Sequence, residues 1–148
     1  MMDGPSYTKA NEGLRLTAYQ DQGGVWTCGY GCTGPLIIEG TVWTQDEADQ
    51  MFQMRYDLAM RGAATIMGDA WDVLNDARKA ALTDMVYQMG AAGMARWAIL
   101  RMSLVTQKWA AARDATLASL YAQQQAPARA KRNATIFLTG QMPDEGSF

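Results

Sequence analysis

The sequence predicts an α+β fold in which a small N-terminal β-hairpin lobe is joined by a long helix to a helical C-terminal lobe. Two short β-prone runs flank a Gln-Gly-Gly turn at residues 22–24 and predict the hairpin. The segment Thr44–Glu47 has the capping-box pattern of a helix N-terminus and predicts the long helix. Beyond it, apolar residues recur at helical spacing, with Gly and Pro at the helix ends.

The bulk composition is that of one globular domain. The chain has 148 residues, long enough to bury a sizeable core. Hydrophobic residues make up 49% and charged residues 19%, which excludes a disordered chain. The formal net charge is −2, so no strong attraction to nucleic acid or to a membrane surface is expected.

The chain contains no histidine. Without an imidazole base, Ser-His-Asp and Cys-His nucleophile pairs are excluded. His-containing zinc sites are excluded as well, and two cysteines cannot build a four-thiolate site. We therefore expect no metal and no cofactor, and acid–base chemistry must come from carboxylates, lysine or tyrosine.

Cys28 and Cys32 are four positions apart. On one extended strand they would lie about 13 Å apart, too far for a disulfide. We expect half-buried free thiols, which suit a reducing cytoplasm. The sequence predicts neither a signal peptide near Met1 nor a membrane-spanning segment.

The N-terminal elements begin with a short helix from Tyr7 to about Gly13, for which Ser6 is the expected N-cap. Glu12 lies in the last turn of this helix. The hairpin strands are expected at residues 14–20 and 25–30.

Alternation along the second strand predicts two faces. Thr27, Gly29 and Gly31 are expected on one, and Cys28, Tyr30 and Cys32 on the other. Residues 36–38 are expected to form a brief strand or a packed loop.

The long helix is expected to begin after Thr44 and to run to about Met60 or Met67, with Gly62 and Gly68 as candidate ends. Apolar residues at helical spacing lie on or near one face of the helix. That face is expected to contain Ala48, Met51, Phe52, Leu58 and Ala59.

The C-terminal part reads as four helices. The first starts at Asn75 or Asp76 and ends at Gly90, with Ala80, Ala81, Met85, Val86 and Met89 as core residues. A short helix is expected over 94–100, and another over 106–121 with Trp109, Ala112 and Leu120 on its apolar side. After a polar connector at 123–126, Pro127 opens the last helix and Gly140 follows it.

Two acids and a hydroxyl stand at fixed spacing in the hairpin region: Glu12, then Asp21 nine positions on, then Thr27 six further. Their order and spacing resemble the catalytic Glu, Asp and Thr of the T4-type phage lysozymes, the muramidase endolysins of bacteriophages. The blocks 76–90, 127–132 and 139–140 resemble the central and C-terminal helices of the same family. The resemblance covers about residues 10–142.

The resemblance implies one lysozyme domain over residues 1–148, with an N-lobe at about 6–43, a linking helix at about 44–62 and a C-lobe at about 63–142. It implies hydrolysis of the β-1,4 bond between N-acetylmuramic acid and N-acetylglucosamine in peptidoglycan, with inversion. Glycoside hydrolysis needs one carboxylic acid to protonate the leaving oxygen and a second carboxylate across the bond.

Each site residue then has an expected role. Glu12 is the general acid, and Asp21 stabilises positive charge or activates water while also forming an Asx-turn. Thr27 cannot be a base, but its hydroxyl can orient a water against Asp21. In the resembling lysozymes an arginine of the last helix pairs with the Glu, which implies Arg129 here. Tyr87 and Gln88 match the segment that lines the cleft.

Two departures from the family pattern stand out. Cys32 stands at the position after the Gly-Tyr-Gly run where the family usually has a His. Arg55 stands at the position of the carboxylate that usually pairs with that His. The simultaneous loss of both partners indicates a changed structural support. The usual cleft Trp near Pro127 is also absent, with Tyr121 and Ala122 nearby.

The expected partner is bacterial peptidoglycan, and the protein is expected to act as a monomer. We expect it to pass from the host cytoplasm to the periplasmic wall through a separate holin, or else to act as part of a virion protein.

Two alternative functions stay open. A lytic transglycosylase needs the Glu but makes an anhydro sugar, and the presence of both Asp21 and Thr27 argues against it. A peptidoglycan-binding or virion structural domain would keep a relic site. Because zinc chemistry is excluded, an amidase is not among the alternatives.

Overall fold

The computed structural model describes residues 2–119 and 121–148. The predicted α+β class is confirmed: a two-stranded antiparallel sheet near the N-terminus precedes a helical remainder. The helices and strands in chain order are α1 (Gly4–Glu12), β1 (Arg15–Gln20), β2 (Trp26–Gly29), α2 (Gln45–Met67), α3 (Asp76–Met89), α4 (Ala91–Met94), α5 (Ala98–Val105), α6 (Trp109–Leu117) and α7 (Pro127–Thr139). Short 3₁₀ turns occupy Gly68–Val73 and Glu145–Ser147, and a π-helical turn occupies Tyr121–Gln125.

Helix α1 begins three residues earlier than predicted. Asp3 is its N-cap, and its carboxylate accepts a hydrogen bond from the backbone N–H of Ser6 at 2.8 Å. The prediction of Ser6 as the cap is therefore wrong, because the Asp3 side chain satisfies a free N–H group of the first turn. The end is as predicted: Glu12 is the last helical residue and Gly13 follows at φ 72°.

The hairpin is confirmed, with Tyr19 opposite Thr27 and Gln20 opposite Trp26. A register irregularity separates these pairs from the pairing of Arg15 with Gly29. A third segment, Thr41–Trp43, adds to the free side of β1 through two backbone hydrogen bonds of 2.8 Å. Residues 36–38 form part of the loop before this segment.

The chain reverses after β2, so the predicted alternation from residue 27 to residue 32 is wrong. Gly29 and Gly31 adopt φ values of 65° and 72°, which lets the backbone turn back on itself. Cys28 and Cys32 then face each other and exchange two backbone hydrogen bonds of 2.9 Å. Both are free and fully buried thiols and do not lie on one strand.

Helix α2 begins as predicted, with the Thr44 hydroxyl accepting from the N–H of Glu47 at 3.1 Å. It passes Gly62 and ends at Gly68. A Cβ at Gly62 would lie 3.1 Å from Ala91 and 3.3 Å from Val86, so the glycine permits close helix packing there. Of the apolar residues expected on or near one face of this helix, Leu58 is 55% exposed.

Helix α3 has the predicted limits, Asn75 as N-cap and Gly90 as C-cap. The next two predictions are wrong in their bounds. In place of one helix over 94–100, α4 and α5 are separated at Trp97, whose ψ of 65° is not helical. In place of a helix over 106–121, α6 starts only at Trp109, after a turn in which Gln107 has φ 57°. The predicted core residue Leu120 lies outside the described residues.

Helix α7 starts at Pro127 and is followed by Gly140 in the left-handed region at φ 70°, as predicted. The expected connector before it is a π-helical turn.

The larger core lies among the helices, and Tyr7 of α1 is buried in it. A smaller apolar cluster around Cys28, Cys32 and Ile37 supports the hairpin side. The lobe boundaries at residues 43 and 62 stay a prediction.

Candidate active site

A cleft of about 520 Å³ runs between the hairpin and the helices. Five of the six residues predicted for the site line it, namely Glu12, Asp21, Thr27, Tyr87 and Gln88. The sixth, Arg129, lies directly behind Glu12. Leu58 of α2 also lines the cleft, which explains why an apolar residue of that helix is left exposed.

Glu12 owes its position to two glycines. Gly13 ends α1 directly after it, so the side chain leaves the helix at the cleft wall. A Cβ at Gly31 would overlap Oε2 of Glu12, so only a glycine allows the loop after β2 to pass so close. The second glycine of the Gly-Tyr-Gly run therefore provides the space that the Glu12 carboxyl group occupies.

The Glu12 side chain is 15% exposed, and its Oε1 accepts a hydrogen bond of 2.7 Å from Nη1 of Arg129. Burial raises the pKa of this carboxyl above its ordinary value. Arg129 lowers that pKa, and the buried carboxylate of Asp84 raises it again, so the balance lies on the raised side. A carboxyl with such a pKa is suited to donate a proton.

Asp21 stands at the hairpin turn, where Oδ1 accepts from the backbone N–H groups of Gly23 and Val25, each at 2.9 Å. The Asx-turn reading of this residue is thus correct in geometry. Oδ2 has no hydrogen-bond partner among the described residues and remains available toward the cleft.

Thr27 of β2 is buried, with 4% of its surface exposed. Its hydroxyl donates to the carbonyl oxygen of Val25 at 3.0 Å. Since the proton is used in this bond, the hydroxyl oxygen can act toward the cleft as an acceptor.

Tyr87 fastens α3 to the loop after β2. Its hydroxyl donates to the carbonyl oxygen of Tyr30 at 2.6 Å and lies 3.8 Å from the Cys32 sulfur. Burial raises the pKa of Tyr87, which keeps the phenol neutral. The hydroxyl proton is therefore used in the hydrogen bond to Tyr30, and the aromatic ring of Tyr87 lines the cleft.

Gln88 differs from its neighbour in having an unused polar atom. Its Oε1 is buried and lacks a hydrogen-bond partner within the described part of the chain. Gln88 and Asp21 also border a second, adjoining depression of about 1120 Å³, which Trp97, Ser119 and Tyr121 line farther along. An extended ligand could continue from one depression into the other.

Arg129 contacts a second carboxylate that the sequence reasoning missed. Asp84 of α3 is fully buried and accepts two hydrogen bonds from the guanidinium, at 2.9 and 2.8 Å. A signal was present, because Asp84 stands between Thr83 and Met85 in the buried register of α3. A charge at such a position needs a partner.

The two family departures have structural counterparts. Arg55 donates through Nη2 to the carbonyl oxygen of Thr33 at 2.6 Å and so braces the same loop from α2. Cys32 is held by its backbone pairing with Cys28. Tyr121 near the last helix is buried, and its hydroxyl accepts from Asn133 at 3.2 Å.

Within residues 2–119 and 121–148, no group of three or more metal-ligating acids or cysteines comes together. None of the helices described there combines the length and the hydropathy that crossing a membrane requires.

Comparison with known proteins finds relatives that match this chain over different lengths. The probable T4-type lysozyme 2 of Dictyostelium discoideum is 24% identical over 160 residues, covering 92% of this chain and 94% of that protein. The pre-baseplate central spike protein Gp5 of Enterobacteria phage T4 is 28% identical over 167 residues, covering 93% of this chain. The endolysin of Acyrthosiphon pisum secondary endosymbiont phage 1 is 51% identical over 51 residues, covering 34% of this chain.

The matched stretches cover only 28% of the spike protein and 33% of the endolysin. A model of the phage lysozyme family matches residues 9–134, a stretch that contains all six predicted site residues. The chain therefore belongs to the phage lysozyme family.

Proposed function

We propose that the chain is a muramidase of the endolysin type. It hydrolyses the β-1,4 bond between N-acetylmuramic acid and N-acetylglucosamine in peptidoglycan and thereby lyses the host cell. The observation that carries the proposal is the buried carboxyl of Glu12, with its raised pKa, facing a cleft that Asp21 and Thr27 also line. Membership of the phage lysozyme family supports the same reaction class.

Glu12 acts as the general acid. Its proton passes to the glycosidic oxygen as the bond to the sugar carbon breaks, and positive charge develops on the ring. Burial keeps the acid protonated at a higher pH than in water. Arg129 holds the carboxyl in one orientation through its 2.7 Å hydrogen bond.

Asp21 and Thr27 activate and orient the attacking water. The free Oδ2 of Asp21 takes up one proton of the attacking water as the new C–O bond forms, while the Thr27 hydroxyl oxygen accepts a hydrogen bond from the other O–H and keeps the water oriented. A water held on the face opposite Glu12 attacks with inversion at the sugar carbon. The step requires only these side chains and water, without a cofactor.

The long cleft binds the substrate. The unpaired Oε1 of Gln88 accepts from a sugar hydroxyl or acetamido N–H, and the Tyr87 ring supplies an apolar wall. The adjoining depression gives the glycan strand room to continue past Asp21. Because Asp21 and Gln88 line both depressions, the arrangement fits a polymeric substrate better than a small sugar.

The proposed setting is synthesis in the host cytoplasm as a monomer, followed by access to the periplasmic wall through a holin. The likeness to a protein named as a phage spike favours a second setting, in which the domain belongs to a virion protein and acts at entry.

The test is digestion of purified peptidoglycan, with the products identified by mass spectrometry and with Glu12→Gln as the control. Muropeptides with reducing N-acetylmuramic acid ends, absent from the control, are expected. Anhydro-muramic products, one water lighter, would instead assign a transglycosylase, and an unchanged wall would indicate a binding domain. Clearing of outer-membrane-permeabilised Gram-negative cells is the corresponding whole-cell result.

A further inference from the structure

One guanidinium joins two carboxylates at the back of the cleft. Asp84 accepts from Nε of Arg129 through Oδ2 at 2.9 Å and from Nη2 through Oδ1 at 2.8 Å. The remaining nitrogen, Nη1, donates to Oε1 of Glu12 at 2.7 Å. The side chains are 0%, 8% and 15% exposed for Asp84, Arg129 and Glu12, so the ion pair with Asp84 is the more deeply buried of the two.

Asp84 receives three more hydrogen bonds. Thr8 and Asn11 of α1 donate to Oδ1 at 2.8 and 3.3 Å, and Asn133 of α7 donates to Oδ2 at 3.0 Å. All five of these hydrogen bonds are donated to Asp84, as an ionised, acceptor-only carboxylate requires. Its bidentate contact fixes the guanidinium plane between α3 and α7.

A free guanidinium so close to Glu12 would work against catalysis. A neighbouring cation favours the ionised carboxylate, whereas a general acid must hold its proton. Asp84 removes this conflict because its negative charge compensates the positive charge of Arg129. The pKa of Glu12 reflects all three influences: burial raises it, Arg129 lowers it and Asp84 raises it.

On the basis of the proposed muramidase activity, we propose that Asp84 is a positioning residue for the general acid. It fixes and neutralises Arg129, so that Arg129 orients Glu12 without holding it ionised. The two residues of the ion pair thus have different roles: Arg129 donates the hydrogen bond to Glu12, and Asp84 supplies the charge that compensates Arg129.

Among the described residues, the charges that act on the pKa of Glu12 are those of Arg129 and Asp84. Other charged and titratable groups stand nearby. Those lining the cleft are Tyr19, Asp21, Arg55 and Tyr87, together with the nearby Cys32. Burial raises the pKa of both Cys32 and Tyr87, so these two stay neutral. Arg132 of α7 donates twice to Oδ1 of Asn11 and makes no hydrogen bond to Glu12.

The first test is Asp84→Asn, which removes the charge at nearly constant volume. The alkaline limb of the kcat/KM profile on peptidoglycan is expected to move down by about one pH unit, a tenfold loss at a fixed pH on that limb. The pKa of Glu12 is read independently by carbon NMR of its carboxyl, assigned by comparison with Glu12→Gln, and should fall by the same amount.

A matched control separates charge from packing. Thr8→Val removes one buried hydrogen bond to the same Asp84 oxygen, but leaves the carboxylate in place. Its melting temperature should fall, while its alkaline limb and the pKa of Glu12 should stay where they are in the wild type. A limb that moves equally in both variants would reduce Asp84 to a packing role and overturn the proposal.

A charge-relocation variant covers the case in which Asp84→Asn does not fold. In Asp84→Asn combined with Asn133→Asp, the carboxylate moves one hydrogen-bonded step away from Arg129, where Tyr7 and Tyr121 can donate to it. The double variant should melt above the single one and still show the lowered limb. A wild-type limb and a wild-type Glu12 pKa would refute the proposal. An inactive wild type would refute only the muramidase function, since the NMR titration still reads the pKa of Glu12.

Discussion

Arg129 and Glu12 are 117 positions apart in the chain, yet Nη1 of the arginine lies 2.7 Å from Oε1 of the glutamate. The contact joins the first helix to the last and places a cation against the proposed proton donor. It therefore affects both stability and pH dependence.

Arg129→Met is expected to raise the pKa of Glu12, because burial and Asp84 then act without the opposing cation. The alkaline limb of kcat/KM should move to higher pH. Stability should fall by about 3 to 5 kcal/mol, since Asp84 is left buried without its ion-pair partner. Paired pH–rate profiles at one ionic strength, with denaturant unfolding curves, measure both effects. An unmoved limb with unchanged unfolding would mean that the pair has no role in solution.

Glu12→Gln should remove nearly all activity, because an amide cannot donate the proton, a loss of roughly 10² to 10⁴ in rate. A variant that kept more than about a tenth of the wild-type rate would mean that Glu12 is not the acid.

The same variant should also gain stability relative to the wild type as the pH rises. The folded pKa of Glu12 is raised, so its contribution to wild-type stability is present at low pH and is lost as pH rises through the folded pKa. The amide of the Glu12→Gln variant does not titrate and carries no such loss. The difference in melting temperature should favour the variant more at about pH 7 than at about pH 4, on either side of the ordinary glutamate pKa. A constant difference would indicate an unshifted pKa.

Gly31→Ala should cost most of the activity, because a Cβ there would overlap Oε2 of Glu12. Gly40→Ala is the matched control: Gly40 has a similar φ of 86°, but a Cβ would meet nothing within 4 Å. Both changes carry a similar backbone strain of about 1 to 2 kcal/mol. The melting temperature should therefore fall in both variants, whereas turnover should fall only in Gly31→Ala. A comparable loss of turnover in Gly40→Ala would mean that strain causes the effect.

The stereochemistry of the reaction tests the roles of Asp21 and Thr27. A water held opposite Glu12 gives inversion, so the α anomer should form first in proton NMR of a freshly started digest. A first-formed β anomer would require a covalent intermediate and would contradict the water-holding role. Thr27→Val should slow the reaction strongly, whereas Thr27→Ser, which keeps the hydroxyl, should retain much of the rate.

The cap of α1 gives a stability test remote from the chemistry. Asp3→Ala should destabilise the fold by about 1 kcal/mol, because an N–H of the first turn loses its acceptor. Ser6→Ala should cost much less, since the backbone N–H of Ser6 that donates to Asp3 is kept. Equal losses in denaturant unfolding would restore Ser6 as a capping residue.

The sequence by itself determined the features that depend on neighbouring residues. The hairpin turn, the Thr44 cap of α2, the limits of α3 and the Pro127 start of α7 follow from local backbone preferences. The cleft positions of Glu12, Asp21 and Thr27 agree with the spacing read from the sequence. Helix bounds failed where the local signals were weak, as between α4 and α6.

Only the tertiary structure decided how distant residues compensate one another. Asp84 lies in the buried stretch of α3, and its contacts form only once α1 and α7 bring Thr8, Arg129 and Asn133 to it. Gly31 becomes necessary only because Glu12 lies against it. The physical reason is the same in both cases: burial makes an unpaired charge or an extra methyl group costly, and burial is a property of the assembled chain.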